Sequence, residues 1–237
     1  MDVTVIDAYC ERTGPGLLAE PLNAVTNASF LVAALAAWYL ARGSGRSTTG
    51  LRVLLGLAAS VGLGSGLWHT FATPWTMLLD VVPILVFLVW FLWLYSRNVI
   101  GLSTPLVLAS LVAFLFSASV AQRFGEILNG SLAYAPALIA LLGFGVFHAR
   151  NRKTARFSLL AAAGVYALAL VFRAVDQEVC SALPIGTHFL WHSLSGLAVF
   201  LAMRGLILNR AAPTVRLGAG LPLVSVTHSG AGAAIAS

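Results

Sequence analysis

Charge is what this 237-residue chain has least of: Asp, Glu, Lys and Arg together make up 9% of it. The hydrophobic fraction is correspondingly high, 59% with a mean hydropathy of +0.91. That excludes an ordinary soluble domain, whose usage is roughly half apolar. The opening residues, MDVTVIDAYCER, are acidic and lack both a basic n-region and an apolar h-region, so no cleavable signal peptide is expected. No internal repeat is found, and the 2 cysteines allow one pair at most.

What is present is a series of long apolar runs. About 20 apolar residues cross a hydrocarbon core at 1.5 Å per residue. Windows of that kind fall near 22–41, 53–72, 75–95, 102–121, 131–148, 157–173 and 187–207. The expectation is an all-α, polytopic membrane protein: one seven-helix bundle over residues 1–210 with short loops. Residues 211–237 are too rich in Gly, Ala and Ser to read as a packed element and are expected to form a loose tail.

The few charges are sorted by side. Arg42, Arg46 and Arg52 follow the first run, Arg97 the third, and Arg150, Arg152, Lys153 and Arg156 the fifth; Arg204, Arg210 and Arg216 close the chain. By the positive-inside rule these segments are cytoplasmic and the N-terminus is outside. The acidic residues Asp2, Asp7, Glu11, Glu20, Asp80, Glu126, Asp176 and Glu178 fall on or near the outer side, with only Arg12, Arg123 and Arg173 for basic company. The net charge of +6 is therefore a topology signal and gives no reason to expect a nucleic-acid partner.

Polar residues inside the runs gather at one depth. His188 and His192 are i and i+4 at the start of the seventh run and project from one helix face. His69 lies near the outer end of the second run, with Ser65 one turn deeper on the same face. Asp80 re-enters in the third run, roughly 8 Å below Trp75 at the helical rise. Any one His or Ser reads as a hydrogen-bonder to a neighbouring helix. A carboxylate within WTMLLDVVPILVFLVWFLW is harder to dismiss, since it costs on the order of 3 kcal/mol to insert and such groups face the bundle interior. Three imidazoles with an open fourth position are a ligand set that Zn²⁺ uses in catalytic sites. His148, beside the basic loop, and His228, in the tail, are expected to be incidental. Arg173, Asp176 and Glu178 read as solvated loop charges or as an Arg–Asp pair bracing the mouth.

These residues also carry a resemblance. GSGLWHTF with Asp80 eleven residues after His69, then FRAVDQEVCSALPIGTHFLWHSLSG and the N-terminal DAYCERTGPGLLAEPLNAVTN, resemble the alkaline ceramidases, a branch of the seven-helix hydrolases that include the adiponectin-receptor-like proteins. The resemblance covers about Asp7 to Gly205. It implies that His69, His188 and His192 are zinc ligands, with Ser65 and Asp80 catalytic beside them, and that the substrate is a membrane lipid: ceramide or another N-acyl lipid, hydrolysed to a fatty acid and an amine. It also implies a Ca²⁺ site from Asp7, Glu11, Glu20 and the carbonyl of Tyr9. The spacing departs from the animal-type motif, and Thr13 stands where an Asn ligand belongs; the alternative is a solvated acidic segment. Cys10 and Cys180 both fall on the outer side, where a bridge or two free thiols are open, and the resemblance implies the bridge.

Three functional classes follow: a zinc-dependent lipid amidase, a receptor-like relative that senses lipid, and a metal or proton transporter. The clustering of polar groups at one rim and the short loops favour the first. The preference for Arg over Lys and the abundance of Ala and Gly point to a bacterial inner membrane, with the site towards the periplasm.

Overall fold

A computed structural model describes residues 5–210. Asp2, Arg216, His228 and the expected tail at 211–237 lie outside the described residues. The described chain is all helical, with α1 Pro21–Thr26, α2 Ala28–Gly43, α3 Thr49–Phe71, α4 Pro74–Tyr95, α5 Thr104–Gln122, α6 Ala135–Arg150, α7 Ser158–Val175 and α8 His188–Asn209. A π-helical turn, Ser96–Ile100, extends α4 and ends at Gly101, whose φ of 87° favours glycine. With α1 and α2 counted as one span, seven helices among the described residues are long and apolar enough to cross a membrane. The protein is an integral, multi-pass membrane protein. Its exposed large apolar side chains, such as Val112, Phe116 and Ile139, are what a lipid-facing surface requires.

The spans are not equivalent. In α8, 56% of the apolar window is buried against 11% in α5, so α8 is the central helix and α5 a peripheral one. The main core cluster joins α2, α3, α4, α7 and α8, through residues such as Ala37, Leu54, Tyr95, Leu159 and Met203, and takes nothing from α5. Small residues set the close approaches. Gly64 of α3 lies against the Leu79 carbonyl of α4, and a side chain at Gly196 of α8 would meet Ser29 Cβ of α2 at 2.6 Å. These two contacts draw α3, α4, α2 and α8 together beside the polar residues.

The turn between α3 and α4 has a local cause. α3 stops where Ala72 takes a left-handed conformation, φ 49°, and its N–H donates to the Trp68 carbonyl at 2.7 Å. Thr73 and Thr76 then form a reciprocal capping box, with Pro74 in the first turn where no helical N–H is needed. The tight turn keeps Ser65 and His69 of α3 beside Asp80 of α4.

Candidate metal centre

His69 comes from the last turns of α3, and His188 and His192 from the first turns of α8. All three rings are buried, and each offers a nitrogen lying within 4.8 Å of those of the other two. His69 Nε2 and His192 Nε2 stand 3.1 Å apart.

The surrounding hydrogen bonds decide what those nitrogens carry. His69 Nδ1 is 2.5 Å from Glu20 Oε2, so it holds the proton and donates to the carboxylate. The Thr26 hydroxyl donates to the Leu22 carbonyl at 2.7 Å, which leaves its oxygen to accept from His192 Nδ1 at 3.2 Å. Both rings are thereby neutral with their protons on Nδ1, and both Nε2 lone pairs are aimed at each other. Two lone pairs at that distance repel unless a cation lies between or beside them. His188 Nδ1 is buried and has no hydrogen-bond partner. Two inward lone pairs and an orphaned third imidazole fit a metal ion.

His188 is held from behind. Asp176 is fully buried, and its Oδ1 accepts the N–H groups of Thr187 at 2.7 Å and of His188 at 3.0 Å, capping α8. Its Oδ2 accepts the Cys10 N–H at 3.3 Å. The Tyr9 ring lies 3.9 Å from that of His188, centroid to centroid. Burial pushes the Tyr9 phenol up from its ordinary range. A disulfide joins Cys10 to Cys180 with their Cα atoms 5.1 Å apart, tying the N-terminal segment to the loop that leads into His188.

Ser65 and Asp80 line a small pocket together with His188, His192, Tyr134 and Arg173. Asp80 Oδ1 is buried without a protein partner on the pocket side of α4. The pocket shares Phe30, Val61, Ile84, Tyr134 and Trp191 with a larger cavity that runs on among aromatic and aliphatic side chains of α4, α6 and α8. Polar chemistry thus sits at one end of an apolar chamber.

Most of the N-terminal acidic segment is built into the fold. Asp7 is exposed, and the remaining oxygens named for calcium are engaged by protein donors. Glu11 accepts the N–H groups of Leu22 at 2.7 Å and Asn23 at 2.8 Å, capping α1, and the Tyr9 carbonyl accepts the Arg12 N–H at 3.1 Å. Glu20 binds Arg12 through Oε1 and His69 and Asn23 through Oε2. Burial raises the carboxyl pKa of both Glu11 and Glu20, and hydrogen bonds from Asn23 and Leu22 in the first and from Arg12 and Asn23 in the second oppose it. Neither is a solvated acidic group. One expectation, the Arg–Asp pair at the mouth, needs correction. Asp176 is a buried helix cap, and among the described residues no ion pair links it to Arg173. Arg173 instead donates to the Asn129 carbonyl at 2.5 Å and to Ser131 Oγ at 3.0 Å and lies over the Tyr134 ring. Glu178 is exposed.

His148 is buried in the last turn of α6, beside the far end of α8; its Nε2 donates to the Thr154 carbonyl at 3.0 Å and its Nδ1 accepts from the Tyr95 hydroxyl at 2.6 Å. It braces the bundle there. The residues missed from sequence are Arg12, Asn23, Thr26 and Tyr134. Only Asn23 and Thr26 had a local signal, being polar in the first turns of an apolar span.

A family model described as Ceramidase matches residues 8–216. No curated protein matches the chain.

Proposed function

The chain belongs to the ceramidase family, and from that premise we propose that it is a zinc-dependent amidase acting on ceramide or a related N-acyl lipid. The observation that carries the reading is the meeting of a buried three-histidine cluster with Asp80 and Ser65 at the head of an apolar chamber. His69, His188 and His192 would hold the ion. Zn²⁺ in such a set supplies Lewis acidity, polarising an amide carbonyl and lowering the pKa of water to near 7.

The chain's own groups account for the rest. The apolar walls, among them Phe87, Phe91 and Phe144, suit an acyl chain and exclude bulk water from the reacting amide. Asp80 Oδ1, free of protein donors, accepts a proton from the attacking water and returns it to the amide nitrogen as the C–N bond breaks. The Ser65 hydroxyl donates to the carbonyl oxygen as negative charge develops on it. The products are a fatty acid and a sphingoid-type amine. We propose the orientation given by the basic loops, with the N-terminus outside and the site on the periplasmic side of a bacterial inner membrane. A proton or metal pathway has less support, because the chamber beyond the cluster is apolar.

Purified protein incubated with a panel of N-acyl lipids, with and without a chelator, tests this by mass spectrometry of released fatty acid. Release from at least one lipid, abolished by chelation and by His69→Ala, is expected. Metal-loaded protein that binds lipids without releasing acid would refute the amidase in favour of a sensor.

A further inference from the structure

A guanidinium stands directly behind the metal centre. Arg12 is 4% exposed although it lies in a loop outside the spans. Its Nε donates to Glu20 Oε1 at 2.5 Å, its Nη2 to the His69 carbonyl at 3.0 Å and its Nη1 to the Gly14 carbonyl at 3.3 Å. Glu20 passes the contact on, since its other oxygen takes His69 Nδ1 at 2.5 Å. One cation, one carboxylate and one imidazole form an unbroken line, and the cation also grips the backbone of the imidazole's own residue.

The oxygens around Arg12 are of the hard type that a divalent cation takes: a carboxylate and two backbone carbonyls. A calcium ion at this place would have to displace the guanidinium from Glu20 and break its bond to the His69 carbonyl. The residues therefore do not fit calcium. A buried carboxylate needs a compensating positive charge, and here that charge is covalently part of the chain. The planar fork of Arg also reaches three acceptors in fixed directions, which a lysine ammonium does not.

We infer that Arg12 is a built-in cation that takes the structural place of a bound divalent ion: acting through Glu20, it fixes the tautomer and orientation of His69, and the metal centre assembles without calcium. Arg12 is a positioning residue. The inference rests on the reading of His69 as a metal ligand.

The test uses the full-length protein in detergent. Metal affinity is measured by chelator competition, the Co²⁺-substituted protein is followed by its visible spectrum, and calcium binding is measured by titrating Ca²⁺ alone into calcium-free protein. Wild type is expected to bind its metal tightly and to show no stoichiometric Ca²⁺ binding. Arg12→Ala is expected to weaken metal affinity about 10–100-fold, the usual cost of losing an outer-shell partner, and to shift the Co²⁺ bands. Added guanidinium should recover part of the affinity, whereas Arg12→Lys should fall between the two. A wild-type protein that binds one Ca²⁺ and gains metal affinity from it overturns the inference and leaves the metal centre standing, without reliance on any variant. An Arg12→Ala protein with wild-type affinity and spectrum overturns it as well. A wild type that holds no metal at all overturns both the inference and the amidase reading beneath it.

Discussion

Replacing Asp176 by Ala removes a carboxylate that satisfies three backbone N–H groups at once: Thr187 at 2.7 Å, His188 at 3.0 Å and Cys10 at 3.3 Å. The first two are buried in the wild type and have no water to turn to. Leaving a buried donor unpaired costs about 1–3 kcal/mol. Two such donors, which are themselves the lost helix cap, and a weaker third together predict a destabilisation on the order of 3–5 kcal/mol. For a chain of this size that corresponds to a fall of about 10 °C in melting temperature. Asp176→Asn should cost less, because the amide oxygen can still accept from Thr187 and His188 while its NH₂ faces the Cys10 N–H. Gly186 sharpens the test: its φ is +63°, and a Cβ there would run into Asp176 Oδ1, so Gly186→Ala should imitate the loss of the cap with Asp176 intact. The assay is thermal unfolding in detergent beside elemental analysis of the same samples. Since the cap holds the first turn of α8, metal content should fall with stability. Wild-type melting and full metal content in Asp176→Ala would refute the reasoning.

Two further outcomes are expected. Asp80→Asn keeps the shape of the side chain but cannot take a proton, so turnover should drop about 10²–10⁴-fold with metal content unchanged; activity near wild type would move proton transfer to another group. The Cys10–Cys180 disulfide closes a segment with a sequence separation of 170, and Cys180→Ser should lower stability by about 2–4 kcal/mol. Non-reducing peptide mapping checks the bond itself, and labelling of both thiols in folded, unreduced protein would show it absent.

The site was legible in part, and the division has a reason. Asp80 stood out because a carboxylate in an apolar run is costly wherever the run is placed, and His188 and His192 because the helical period puts i and i+4 on one face. Arg12 carried no such mark. In the sequence it was a minor exception to the charge pattern, since nothing local says that it will be buried against Glu20 and the His69 carbonyl, 57 positions away. The acidic N-terminal segment had the composition of a calcium site, and the same composition serves equally well as a helix cap, Glu11, and as a relay to an imidazole, Glu20.

The seven spans and the polar cluster at one end of the bundle were determined by the sequence alone. Hydrophobic run length and helical periodicity are properties of consecutive residues, and a bilayer leaves the backbone almost no other way to satisfy its hydrogen bonds. Only the tertiary structure decided which nitrogen of His69 and of His192 keeps its proton, that Asp176 caps α8 and does not face water, and that a guanidinium binds Glu20 and the His69 carbonyl. Those outcomes depend on polar groups far apart in the chain being driven together as the helices pack. In a low-dielectric interior each donor and charge must take whichever partner the packing brings within about 3 Å.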